Sequence, residues 1–70
     1  MPRMIPVDST SIDAIGYDTE AAELHVRLLS GNTYKYAGVS QAAFQAFLSA
    51  PSKGAYFNRE MKPKYFGVQI

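Results

Sequence analysis

Cysteine is absent from this 70-residue chain. That absence excludes a disulfide staple and any thiolate metal site, and it fits a reducing compartment. Histidine occurs once, as His25. Long apolar runs are missing too. The N-terminal stretch MPRMIPVDST holds no run suited to a signal peptide, and nothing later approaches the ~20 apolar residues of a membrane span. A soluble cytoplasmic protein without membrane contact is the expectation. Charge is missing from one long stretch, since no residue between Lys35 and Lys53 is charged at neutral pH.

What is present describes one small domain. A chain of this size buries only about 60% of the surface its unfolded form exposes, so its core has little to spare. Residues 1–10 carry Pro2 and Pro6 and show no hydrophobic period. They read as a flexible, extended lead-in to a single domain over residues 11–70. The net charge of +1 hides an asymmetry. Residues 1–30 carry Arg3 and Arg27 against five acidic groups, a balance of −3, whereas residues 31–70 carry five basic groups against Glu60 alone, a balance of +4. A basic half is the electrostatic footprint of a phosphate-binding surface, although charges clustered in sequence can scatter on folding.

The hydrophobic pattern places the elements. SIDAIGYD has β-like composition and ends in the polar turn Asp18-Thr19-Glu20. In ELHVRLL, Leu24, Val26 and Leu28 alternate with His25 and Arg27, the period of a half-buried strand. TYKYAG alternates again after Ser30-Gly31-Asn32. A two-residue turn at Gly31-Asn32 would set the apolar face of one strand against the polar face of the other. A three-residue loop places Tyr34 opposite or beside Leu28 and Tyr36 beside Val26, with Lys35 outward beside His25 and Arg27. A one-residue slip flips every side chain, so the pattern selects the longer loop.

Ser40 then suits a helix N-cap, with Val39 and Phe44 spaced as a hydrophobic staple. Phe44, Phe47 and Leu48 form the inward stripe, and Pro51 ends the run. Burying each is worth roughly 1.5–3 kcal/mol. Ser52 to Met61 reads as a second short helix closed by Pro63. At 100° per residue, Gly54, Phe57 and Met61 share one side of it and Tyr56 and Arg59 lie roughly opposite. KYFGVQI is β-like. The expected fold class is α+β: a small three-stranded antiparallel β-meander with one main helix, a second short helix and a C-terminal β segment.

These elements carry a resemblance. Ser11-Ile12-x-Ala14-Ile15-Gly16-Tyr17-Asp18, Leu24-x-Val26, Gly31-x-x-Tyr34-x-Tyr36-x-x-Val39 and Ala50-x-Ser52-Lys53-Gly54-x-Tyr56-Phe57-Asn58 together resemble the KTSC domain, over roughly residues 9 to 66. That domain is named for the C-terminus of some lysyl-tRNA synthetases and also occurs as free-standing bacterial or phage proteins. Pro51 stands where the family usually has another residue. The resemblance implies a small α+β domain with a central Tyr-x-Tyr motif and no established activity. Its synthetase context suggests RNA binding, by association only.

Catalysis finds little support. His25 is expected to be exposed on its strand, and no serine sits in a nucleophile-elbow pattern. Acid–base or nucleophilic chemistry needs partnered groups in a cleft. We therefore expect no enzyme, no catalytic residues and no small-molecule substrate. Asp18, Glu20 and Glu23 lack the ligand count and glycine placement of a calcium loop, so no metal and no cofactor are expected.

Binding surfaces are more promising. Tyr34 and Tyr36 could stack on bases, with Lys35 on phosphate, yet their register favours core packing. In SKGAYFNREMKPKY, Lys53 sits at an expected helix N-terminus, and Tyr56, Arg59, Lys62 and Lys64 interleave a ring with positive charge. That mixture fits contacts to RNA or another nucleic acid, or else simply keeps the tail soluble. The uncharged helix side Gln41, Ala42, Gln45 and Ser49 offers an alternative, docking of a protein partner or homodimerisation, because charge depletion marks interface cores.

Overall fold

The computed structural model describes residues 2–70. Its fold is α+β. A five-stranded antiparallel sheet has the strand order β1-β2-β3-β4-β5. The strands are β1 (Ile5–Pro6), β2 (Ile12–Asp18), β3 (Glu23–Leu28), β4 (Thr33–Ala37) and β5 (Gly67–Gln69). Helix α1 (Gln41–Ser49) follows β4, and α2 (Lys53–Tyr56) runs directly into a π turn, Phe57–Met61. The expected meander is β2–β3–β4, but the sheet is wider than three strands. The lead-in contributes β1, which pairs Ile5 with Ile15, and the C-terminal segment contributes β5.

Each hairpin has a local cause. Asp18 Oδ1 accepts from the amides of Glu20 (3.0 Å) and Ala21 (3.2 Å), which folds the β2–β3 loop back on itself. The β3–β4 loop has three residues, but they are Leu29-Ser30-Gly31, one position earlier than the expected Ser30-Gly31-Asn32, so the pairing moves by two residues and the faces are kept. The Leu28 amide donates to the Asn32 carbonyl at 2.8 Å, and Gly31 takes φ +101°, a conformation open to glycine. The expected faces follow. Val26 lies directly opposite Tyr34, Leu24 opposite Tyr36 and His25 opposite Lys35. Leu28 and Val26 are the diagonal neighbours of the two tyrosines.

The inner face of the sheet meets the helices. Ile12, Ile15, Leu24, Val26, Tyr36, Val39, Phe44, Phe47, Phe57 and Met61 form one buried cluster. Ser40 caps α1 by accepting from the Ala43 amide at 3.1 Å, and Ser52 caps α2 by accepting from Ala55 at 3.3 Å. Pro51 therefore lies in the connection, outside both helices. Aromatic contacts lock the layers. Tyr17 stacks on Phe44 with centroids 5.0 Å apart while its hydroxyl donates to the Val39 carbonyl at 2.6 Å. Tyr36 meets Phe57 edge-on at 5.6 Å.

The outer face departs from expectation around one residue. His25 is only 6% exposed, not a solvent-facing strand residue. Its cross-strand neighbour Gly16 has no side chain, and the chain at Arg3 and Met4 fills that space. A Cβ on Gly16 would come within 2.7 Å of the Arg3 carbonyl oxygen and 2.8 Å of Met4 Sδ. Alternation separates two faces of a strand; it does not reveal that a distant segment covers the second one.

Candidate functional site

Two helix faces meet to form a groove. Ala46, Ser49, Ala50, Pro51, Ser52, Ala55, Tyr56 and Arg59 line a space of about 500 Å³ between α1 and α2. Small side chains make most of its wall because Ser40 starts α1 in a phase that turns Phe44 and Phe47 inward. Ala46 and Ser49 are then left outside. Only Tyr56 and Arg59 project bulk, and no carboxylate lines the groove.

Tyr56 does not lie opposite the core, as a uniform helical wheel implies. It is half-buried, with one ring face stacked on Phe47 at 5.6 Å. The Arg59 guanidinium carbon is 6.0 Å from the Tyr56 centroid. Arg59 donates through Nε to Glu60 at 3.1 Å, and its side chain is 67% exposed. Lys64 reaches the other oxygen of Glu60 at 3.0 Å. Hydrogen bonds from Lys64 and then Arg59 hold the Glu60 carboxyl below its ordinary range, and Glu60 in turn raises Lys64. Lys62 Nζ lies 5.5 Å over the Phe57 ring. Residues 59–64 thus set three positive charges against one carboxylate, a local balance of +2.

The other candidate residues separate. Lys53 is committed to structure, because its Nζ donates to the Ala50 carbonyl at 2.7 Å and closes the end of α1. Tyr34-Lys35-Tyr36 is not a common platform. Tyr36 is 4% exposed and packed in the core, so it offers no ring to a ligand. Tyr34 is half-buried on the same inner face, while Lys35 points to the outer face, 3.7 Å from Glu23. Gln41, Ala42, Gln45 and Ser49 are all exposed on α1, and Ser49 alone of them lines the groove. Sequence reasoning missed Ala46, Ala50, Pro51, Ser52 and Ala55 as site residues. Nothing in their residue types marks them, since the groove arises from how the α1–α2 connection seats one helix on the other.

Among the described residues no group of three or more histidine, aspartate or glutamate side chains could hold a metal ion. No helix there is long and apolar enough to cross a membrane.

Comparison with known proteins gives a consistent result. Residues 8–65 match the KTSC domain. A protein of Stutzerimonas stutzeri (strain A1501) is 36% identical over 64 residues, covering 91% of this chain and 90% of the relative. A protein of Tsukamurella paurometabola is 37% identical over 67 residues, covering 96% of this chain and all of the relative. The crystal structure of a KTSC domain protein from Yersinia pestis superposes with a TM-score of 0.93 at 38% identity, covering 100% of this chain and 99% of that one.

Proposed function

This chain belongs to the KTSC domain family, and on that premise we propose that it is a non-catalytic module contacting single-stranded RNA or another nucleic acid through the α1–α2 groove and the basic side of the second helix. The observation that carries this reading is the pairing of Tyr56 with Arg59 on a wall that is otherwise small and free of carboxylates. A base can enter beside a ring already held flat by Phe47, and ring–base stacking is worth about 1–3 kcal/mol without demanding a sequence. Arg59, Lys62 and Lys64 stand within six residues to meet the phosphates that follow.

The test is an amide NMR titration of labelled protein with short single-stranded RNA at low and moderate salt. Shifts should cluster at Ala46, Ser49, Tyr56, Arg59 and Lys62. With three phosphate contacts, log K should fall against log salt with a slope of about −2, taking ~0.7 per contact for a single strand. Arg59→Glu should abolish the response while leaving the fold intact. Silence at low salt, or binding indifferent to salt, overturns this reading. A protein partner on Gln41, Ala42 and Gln45 then becomes the leading one.

A further inference from the structure

The sheet has two unlike edges. One is β1, two residues long and carrying Pro6, which blunts it as a template for another strand. The other is β5, three residues long and free of proline. Tyr65-Phe66-Gly67-Val68-Gln69-Ile70 contains no charge and no proline. Phe66 is 84% exposed, Val68 47% and Ile70 53%. Gly67 is turned in against Tyr36, so these three side chains share the outer face as one apolar strip.

Hydrogen-bond parity shows which peptide groups are free. The Ile70 amide donates to the Thr33 carbonyl at 2.9 Å, and the register pairs Val68 with Lys35. Antiparallel ladders alternate, so the peptide groups of Val68 and Ile70 are turned to β4. Those of Gly67 and Gln69 point away from the sheet, along an edge where the strand order ends.

We infer that β5 is a docking edge for a second copy of this chain, paired antiparallel about a two-fold axis through Val68. In that register Gly67 and Gln69 of each copy exchange four N–H···O=C bonds. Val68 faces Val68, and Phe66 faces Ile70. A two-fold contact requires a patch that complements itself, and this strand reads the same apolar pattern in both directions from Val68. Charge is compatible as well. The nearest cation on this face is Lys35, beside Val68 and 3.7 Å from its own Glu23. Three strand spacings of ~4.8 Å put the two copies of Lys35 about 14 Å apart, beyond the ~8 Å screening length at physiological salt. The strip is small, below the ~1,200 Å² of a stable interface, so association belongs in the weak, concentration-dependent class.

The cysteine-free sequence makes the test direct. Val68 pairs with itself at a non-hydrogen-bonded site, where Cα atoms lie about 4.5 Å apart, within disulfide reach. Val68→Cys should form a linked dimer under mild oxidation about tenfold faster than Leu29→Cys, whose exposed site lies on the β3–β4 loop. Sedimentation of the unaltered chain from micromolar to millimolar concentration should show a monomer–dimer shift. Val68→Lys, checked for folding by circular dichroism, should remain monomeric. Equal cross-linking rates together with a monomer at every concentration overturn the proposal and leave a foreign strand as the occupant of this edge. Because Tyr56 and Arg59 lie on the helix side, loss of RNA binding would leave this result untouched.

Discussion

Gly67 lies so close to Tyr36 that a Cβ at position 67 would overlap the Cε1, Cζ and Oη atoms of the ring. The ring cannot swing aside, because it is buried and held edge-on against Phe57. A missing side chain on the last strand is therefore what lets that strand close over the core. Gly67→Ala should destabilise the fold by about 1–3 kcal/mol, the range for overpacking a tight contact. Urea unfolding compared with Gln69→Ala, an exposed residue on the same strand, measures it. Equal midpoints for the two variants would mean that β5 can slide off Tyr36 at no cost.

His25 should make stability depend on pH. Burial disfavours its charged form and sets its pKa below the ordinary 6.5. Glu23 and Asp18 oppose that shift, and Lys35 reinforces it. Among the described residues neither ring nitrogen has a hydrogen-bond partner, and Glu23 is 3.9 Å from Nε2. The folded state therefore binds fewer protons than the unfolded state below the ordinary value. The contribution is fully present above about pH 6.5 and is lost as pH falls through the lowered folded value. Urea midpoints of the wild type should drop between about pH 7.5 and pH 5.5, and His25→Leu should flatten that slope. Parallel slopes for the two proteins would show that His25 titrates as if exposed.

These two residues mark where the sequence was legible and where it was not. Period-2 alternation from Leu24 to Leu28, and again at Tyr34 and Tyr36, specified the register face by face, because a slip would have exposed the whole apolar set. Ser40 and Pro51 marked the ends of α1 through short-range chemistry, Ser40 by accepting a local hydrogen bond and Pro51 by lacking the N–H that would continue the helix. Covering His25 depends on residues 3 and 4 folding back across Gly16, and closing β5 depends on a glycine meeting a ring 31 positions away. Such long-range contacts leave no period. The candidate site was legible in the same uneven way. Tyr56 and Arg59 were visible as a ring beside a charge, while the alanine wall they face was not. Lys53 looked like a free cation because its bond to Ala50 depends on the turn between the helices.

Lys53 and Lys62 should consequently separate stability from binding. Lys53 donates to a carbonyl at the end of α1, so Lys53→Ala should cost about 1 kcal/mol of stability, the usual net worth of one such bond. Its effect on RNA affinity should be small. Among the described residues the Lys62 side chain makes no hydrogen bond, and its Nζ only overlies Phe57. Lys62→Ala should cost no more than about 0.5–1 kcal/mol of stability, the worth of an exposed cation–π contact. It should also reduce the salt slope of RNA binding by about 0.7, one single-strand phosphate contact. Paired denaturation and fluorescence-anisotropy titrations of both variants check this. The reverse pattern, with Lys53 governing affinity, would move the phosphate path to the start of α2.

Ala22 offers a gain rather than a loss. It closes the β2–β3 loop with φ +55°, in the left-handed region, while its carbonyl accepts from the Val39 amide at 3.0 Å. That backbone geometry must be kept, since the bond seats the start of α1 on the hairpin. Alanine holds it at a cost of about 1–2 kcal/mol because its Cβ crowds the neighbouring carbonyl. Glycine removes that crowding but loses about 0.5–1 kcal/mol through the greater freedom of the unfolded chain. The difference favours Ala22→Gly by about 0.5–1 kcal/mol, and at this chain length each kcal/mol moves Tm by about 4–8 °C. A thermal melt should therefore rise by several degrees. A lower Tm would mean that the Ala22 methyl group stabilises the fold by packing, and that the loop tolerates its strain for that reason.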